Sequence, residues 1–160
     1  MWAGWRADYL ANPAFGRTDH GCVLCRLVAA DDDAAALVLE RTEHTITVMN
    51  LYPYGSGHVM VAPRRHLAGY LDCSPDEYRA VADAQHRALR AVTAAYAPEG
   101  VNTGANLGRA AGAGVPDHLH VHIVPRWSGD TNFMTSITET RVLPESLAVG
   151  FERLRAAWPR

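Results

Sequence analysis

The chain has 160 residues, 48% of them hydrophobic and 20% charged, with a formal net charge of −2 at pH 7. A chain of this length buries about 70% of the surface its unfolded form exposes, so one soluble domain is expected without disulfide staples. Lysine is absent and all 15 strongly basic residues are arginine, which excludes a Walker A loop, a pyridoxal Schiff base, a kinase-type lysine and a Ser-Lys nucleophile pair.

Both charge signs are scattered, which argues against a bulk grip on nucleic acid or on a membrane surface. The first ten residues, MWAGWRADYL, carry no apolar signal core, and no apolar run of membrane-spanning length follows. A cytoplasmic protein is expected. It reads as one domain over 1–160, with an N-terminal extension over about 1–20.

In chain order, Val23 to Ala30 reads as a short helix before the acidic turn Asp31-Asp32-Asp33. Strands are expected over Ala36–Glu40, Thr45–Asn50 and Gly57–Ala62, the last two joined by the turn-rich Tyr52-Pro53-Tyr54-Gly55-Ser56. Ser74-Pro75-Asp76-Glu77 is a capping box with proline at the first helical position, and it opens a long helix to Ala97. Its apolar stripe is expected to run through Tyr78, Val81, Gln85, Leu89, Val92 and Tyr96. Strands follow over Val101–Leu107 and Leu119–Val124, and a last helix over 144–158. Strands, one long helix and then strands again imply an α+β fold with a largely antiparallel sheet.

The segment His118-Leu119-His120-Val121-His122-Ile123-Val124 concentrates the chemistry. Residues two apart on a strand share a face, so the three imidazoles form a row at roughly 6.5–7 Å spacing while the apolar residues face a core. Giving three positions of one face to histidine sacrifices burial, and such departures from local pattern mark function. Two chemistries remain open at this point: metal ligation, or imidazole acting as a nucleophile on phosphorus. The preceding loop, Asn106 to Pro116 with Gly108, Gly112 and Gly114, favours phosphate, because small residues let backbone N–H groups converge on an anion without lysine.

His-Leu-His-Val-His-Ile-Val resembles the histidine triad motif of the HIT superfamily of nucleotide hydrolases and transferases. The resemblance extends to Asn50 through Pro63, similar to the family's nucleoside-binding hairpin. Trp2 to Arg6 and Pro125 to Met134 resemble a bacterial branch that includes diadenosine tetraphosphate (Ap4A) phosphorylases. It implies a HIT-like α+β fold, with a five-stranded antiparallel sheet, one long helix and a C-terminal helix. It implies homodimers or higher oligomers, a small-molecule nucleotide partner and no organic cofactor.

By the same resemblance His120 is the nucleophile that holds the nucleotide as a phosphoramidate, with His118 and His122 completing the catalytic set. Asn50, His58, Asn106, Gly112, Ala113 and Gly114, together with His120 and His122, are the implied nucleotide-binding residues. Ala113-Gly114 departs from relatives that carry a hydroxyl or amide there, so water and phosphate both stand as acceptors. Alternative readings are hydrolysis of other AMP esters or phosphoramidates, a metal-dependent hydrolase, and a nucleotide-binding module without catalysis.

Cys22 and Cys25 form a C-x-x-C pair without a thioredoxin-like context. The resemblance implies a structural zinc site completed by His66 and His118. Cys73 reads as buried and His86 as solvent-facing, and Arg64 and Arg65 are candidates for a polyphosphate tail as well as ordinary surface residues. Ile46, Val48, Leu51 and Val59 are candidates for a purine floor, with core packing their larger role.

Overall fold

The structure, a computed structural model, describes residues 21–130 and 145–159. The expected N-terminal extension over 1–20 lies outside the described residues. Five strands, β1 (Val38–Arg41), β2 (Thr45–Met49), β3 (Val59–Pro63), β4 (Gly100–Gly104) and β5 (Val121–Arg126), form one sheet in the order β1-β2-β3-β5-β4. Every neighbouring pair is antiparallel. The helices are α1 (Val23–Ala29), α2 (Pro75–Tyr96) and α3 (Leu147–Ala157).

The two faces of the sheet carry different loads. Val59, Val61, Val121 and Ile123 point to one face, where Val81, Ala84, Ala88 and Val92 of α2 and Phe151 and Leu154 of α3 cover them. Ile46, Val48 and Ala62 point to the other, where Leu24 of α1 and Val115 cover one end. Period-two alternation in β5 therefore sends Val121 and Ile123 under α2 and the histidines to the opposite face. Leu119 is also fully buried, as expected.

Several boundaries move, for local reasons. β5 starts at Val121 rather than at Leu119, so His118 and His120 lie in the extended lead-in and only His122 is paired, opposite Met60 of β3 and Gly104 of β4. β4 stops at Gly104 and does not reach Leu107. Pro125 falls beyond Ile123, the last residue of β5 that pairs with β3, where a missing N–H breaks no ladder with that strand. The α2 stripe is rotated from the expected one: Glu77, Val81, Ala84, Ala88, Ala91 and Val92 are buried, whereas Tyr78 is 56% exposed. Small alanines set that face, because they let the helix approach the sheet closely. α3 starts at Leu147 because the Ser146 hydroxyl accepts from Val149 N–H at 3.3 Å.

The expected capping box forms and carries a second contact. Ser74 Oγ accepts from Glu77 N–H at 3.2 Å and Glu77 Oε2 accepts from Ser74 N–H at 2.8 Å. Arg65 also clamps this carboxylate from Nε and from a terminal guanidinium nitrogen, both at 2.7 Å. The Arg65 bonds, followed by the Ser74 backbone bond, hold the Glu77 carboxyl down at about 2 from its ordinary 4.5. The depressed value means that the pair stabilises the fold above pH 4.5 and that this contribution is lost as pH falls toward 2. Half-exposure of the Arg65 side chain screens the pair, so Glu77→Gln is expected to cost about 1–2 kcal/mol at neutral pH. Denaturant melts across pH check this: the gap to wild type should close between pH 4.5 and 2.

Candidate functional site

His120 is 6% exposed, and its Nδ1–H donates to the carbonyl of His118 at 2.8 Å. A carbonyl can only accept, so the proton sits on Nδ1 and the lone pair on Nε2. Burial pushes the imidazole below its ordinary value, outweighing the opposing pull of that hydrogen bond, so the ring is neutral at pH 7. A neutral imidazole with its lone pair on Nε2 is equipped for nucleophilic attack.

His122 belongs to a second chain of hydrogen bonds. Tyr54 N–H donates to His58 Nδ1 at 3.0 Å, which makes that nitrogen an acceptor and puts the His58 proton on Nε2. His58 Nε2–H then donates to His122 Nδ1 at 2.9 Å. His122 in its neutral form then carries its proton on Nε2. The His120 and His122 rings stand edge to face, with centroids 5.0 Å apart. The two neighbouring rings thus hold their protons on different nitrogens, Nδ1 in His120 and Nε2 in His122.

The turn between β2 and β3 holds this arrangement. Asn50 is 9% exposed; its Oδ1 accepts from Tyr52 N–H at 3.0 Å and its Nδ2 lies 3.3 Å from His58 Nδ1. Tyr54 packs on both rings, with centroids 4.6 Å from His58 and 5.5 Å from His122. Sequence reasoning assigned Tyr54 no role, since a tyrosine in a Pro-Tyr-Gly turn has no periodic signature. Gly57 precedes His58 with φ +73°, and a Cβ there would lie 2.6 Å from the Tyr96 ring, so both backbone and space require glycine.

The glycine-rich loop differs from an open amide nest. Gly112 N–H donates to Arg109 O at 2.9 Å and Ala113 N–H to Gly108 O at 3.3 Å, closing a 3₁₀ turn over Arg109–Ala111. Asn106 Nδ2 reaches Gly112 O at 3.5 Å, and the Ala113 side chain is buried. Two of the amides expected to face phosphate therefore hold the loop together, and among the described residues Gly114 N–H has no backbone acceptor. The purine-floor candidates also divide. Val59 lies under α2, Ile46 and Val48 lie under α1, and Leu51 is exposed.

His118 has both ring nitrogens engaged, one by a carbonyl and the other beside the two cysteines. Its Nε2–H donates to Pro63 O at 2.9 Å, and its Nδ1 lies 3.3 Å from Cys22 Sγ and 3.6 Å from Cys25 Sγ. Cys25 Sγ is 3.3 Å from His66 Nδ1, and the four ligand atoms all lie within 4.8 Å of one another. A tetrahedral ion at about 2.3 Å from sulfur and 2.0–2.1 Å from nitrogen has S···N edges of about 3.5 Å, so these four residues fit a metal. The Pro63 bond supplies the outer-shell acceptor that metal-bound histidines use. Burial lowers the His118 imidazole, and burial with the adjacent Cys22 raises the Cys25 thiol.

Cys73 is half-buried rather than buried, His86 is exposed, and His20, Asn132 and Phe133 lie outside the described residues. A surface hollow lined by Leu89, Arg90, Thr93 and Ala94 sits on α2, across the sheet from the histidines, and belongs to a single helix face.

The family model for the HIT domain matches residues 32–129. An AP-4-A phosphorylase of Mycobacterium tuberculosis is 34% identical over 164 aligned residues, which span all of this chain and 84% of that protein. A Zn-bound histidine triad family protein from Mycobacterium smegmatis superposes with a TM-score of 0.69 at 28% identity, covering 86% of this chain and 93% of that one. A hypothetical histidine triad nucleotide-binding protein from Sulfolobus tokodaii superposes with a TM-score of 0.68 at 25% identity, covering 85% and 91%.

Long-range proton–nitrogen correlation spectra recorded above neutral pH are expected to show His120 as the Nδ1–H tautomer and His58 and His122 as Nε2–H. A proton found on His120 Nε2 would remove the nucleophile.

Proposed function

Since the chain belongs to the HIT domain family, we propose that it cleaves a dinucleoside polyphosphate, diadenosine tetraphosphate being the favoured substrate, through a nucleotidyl-histidine intermediate on His120. The observation that carries the reading is the His120 Nδ1–H bond to the His118 carbonyl, which leaves Nε2 basic in a neutral ring. Nε2 attacks the α-phosphorus, the bond from phosphorus to the leaving oxygen breaks, and His122 Nε2–H supplies the proton that oxygen needs. The His118 carbonyl faces the positive charge that develops on the His120 ring, an interaction stronger in the transition state than before it. Asn50 and His58 position His122 and the turn, and Asn106, Gly112, Ala113 and Gly114 shape the phosphate loop.

The acceptor in the second step is phosphate in this reading, supported by the 34% identity to a protein named for phosphorolysis. His120 would then return AMP to phosphate as ADP, with ATP as the first product. Incubation with diadenosine tetraphosphate is expected to yield ADP and ATP only when phosphate is present; AMP and ATP in its absence would identify a hydrolase instead. His120→Ala is expected to lower turnover by at least about a thousandfold, and full turnover by that variant would overturn the mechanism.

Cys22, Cys25, His66 and His118 are proposed to hold a structural zinc, on the strength of the ligand distances and of the Zn-bound relative. Four protein ligands close the coordination shell, which fits a structural rather than a hydrolytic ion. The ion would cross-link the start of α1, the loop after β3 and the lead-in to β5. Plasma mass spectrometry of the purified protein is expected to find zinc in step with chain concentration, and Cys25→Ser to lose both the metal and several degrees of Tm. Equal metal content and Tm in that variant would remove the site.

A further inference from the structure

A permanently charged side chain strengthens the hold on a polyphosphate tail, and in this chain, which has no lysine, that side chain is arginine. The described arginines are nearly all committed. Arg41, Arg65, Arg79, Arg87, Arg126, Arg153 and Arg155 each hold a carboxylate. Arg26 and Arg64 reach the carbonyls of Gly21 and Thr42. The expectation that Arg65 could reach substrate gives way here, because Glu77 and the Asp72 carbonyl occupy its guanidinium. Among the described residues, Arg90 and Arg109 remain without an ion pair or side-chain hydrogen bond.

Only Arg109 lies on a segment that leads into the histidines. Arg90 is on α2, which covers the face away from the histidines. Arg109 is exposed on the loop that leaves β4 at Gly104, opposite His122, and returns to His118. That loop is braced by its own hydrogen bonds, with Gly108 and Gly112 at φ +80° and +83° flanking the turn that carries Arg109. The Arg109 carbonyl closes the turn while its side chain is left uncommitted.

We propose that Arg109 binds the phosphates beyond the α-phosphate and so selects polyphosphate tails over single-phosphate esters at the His120 site. This rests on the function proposed above. A guanidinium presents a planar fork that can take two phosphate oxygens at once, and it stays charged at every working pH. The contact touches only the leaving group, so it sorts substrates by tail length without touching the nucleoside.

The test compares wild type, Arg109→Ala and Arg90→Ala on diadenosine tetraphosphate and on an adenosine 5′-monophosphate ester with an uncharged leaving group. The ratio of kcat/KM for the tetraphosphate to that for the ester is expected to fall about tenfold in Arg109→Ala and to hold in Arg90→Ala. The wild-type preference should also shrink as salt screens the contact. Calorimetry with ATP and AMP reads the same preference without turnover. An unchanged ratio in Arg109→Ala, with an unchanged preference for ATP over AMP, overturns the assignment. Failure of wild type to cleave either substrate, with tail-dependent binding that Arg109→Ala abolishes, overturns the proposed reaction and keeps the subsite. If wild type neither binds nor cleaves, both fall.

Discussion

Three hydrogen bonds hold the backbone and rings of His118 to His120 before the chain enters the sheet, and the candidate chemistry depends on them. His118 Nε2–H is tied to Pro63 O at 2.9 Å, Leu119 N–H to Leu67 O at 2.7 Å, and His120 Nδ1–H to His118 O at 2.8 Å. The first two dock the segment against the end of β3 and the loop that follows it. The third assigns the tautomer of the central ring. A histidine whose proton position is set by a fixed carbonyl presents one nitrogen in one state, which free rotation in solvent cannot supply.

That docking loop is itself held from two sides. His66 reaches toward Cys25, and Arg65 is clamped by Glu77 at the head of α2. The helix cap, the four-residue Cys/His cluster and the lead-in to β5 are therefore mechanically joined, although they are far apart in the chain. A parallel arrangement runs from the Tyr54 amide through His58 to His122. The two chains of hydrogen bonds converge on adjacent rings that carry opposite roles, acceptor at His120 and donor at His122. Separate environments for chemically identical side chains are how a row of imidazoles becomes a site.

Much of this was legible in the residues. The capping box at Ser74, the alternation through Leu119, Val121 and Ile123, and the grouping of Cys22, Cys25, His66 and His118 are local patterns or family motifs, and all recur in three dimensions. The rotation of the α2 stripe was not legible, because alanine and valine at neighbouring positions are equally apolar and only the sheet decides which pack. Nor was the closed glycine loop. A run of small residues is compatible with an open nest or with amides bonded inward, and the choice falls to the Arg109 and Gly108 carbonyls. Arg64 and Arg65 look alike in sequence, and only the approach of Glu77 separates them.

The sequence by itself determined the fold class, the family, the histidine row and the absence of lysine that confines phosphate binding to arginine, imidazole and backbone amides. Those properties follow from residue identity and short-range period. The tertiary structure decided where the protons of His58, His118, His120 and His122 sit, which imidazole lies beside the cysteines, and which arginines are left uncommitted. The physical reason is that proton position and ion pairing are set by the partner atom. Those partners, Pro63 for His118, His58 for His122 and Glu77 for Arg65, come from elements that only folding brings together.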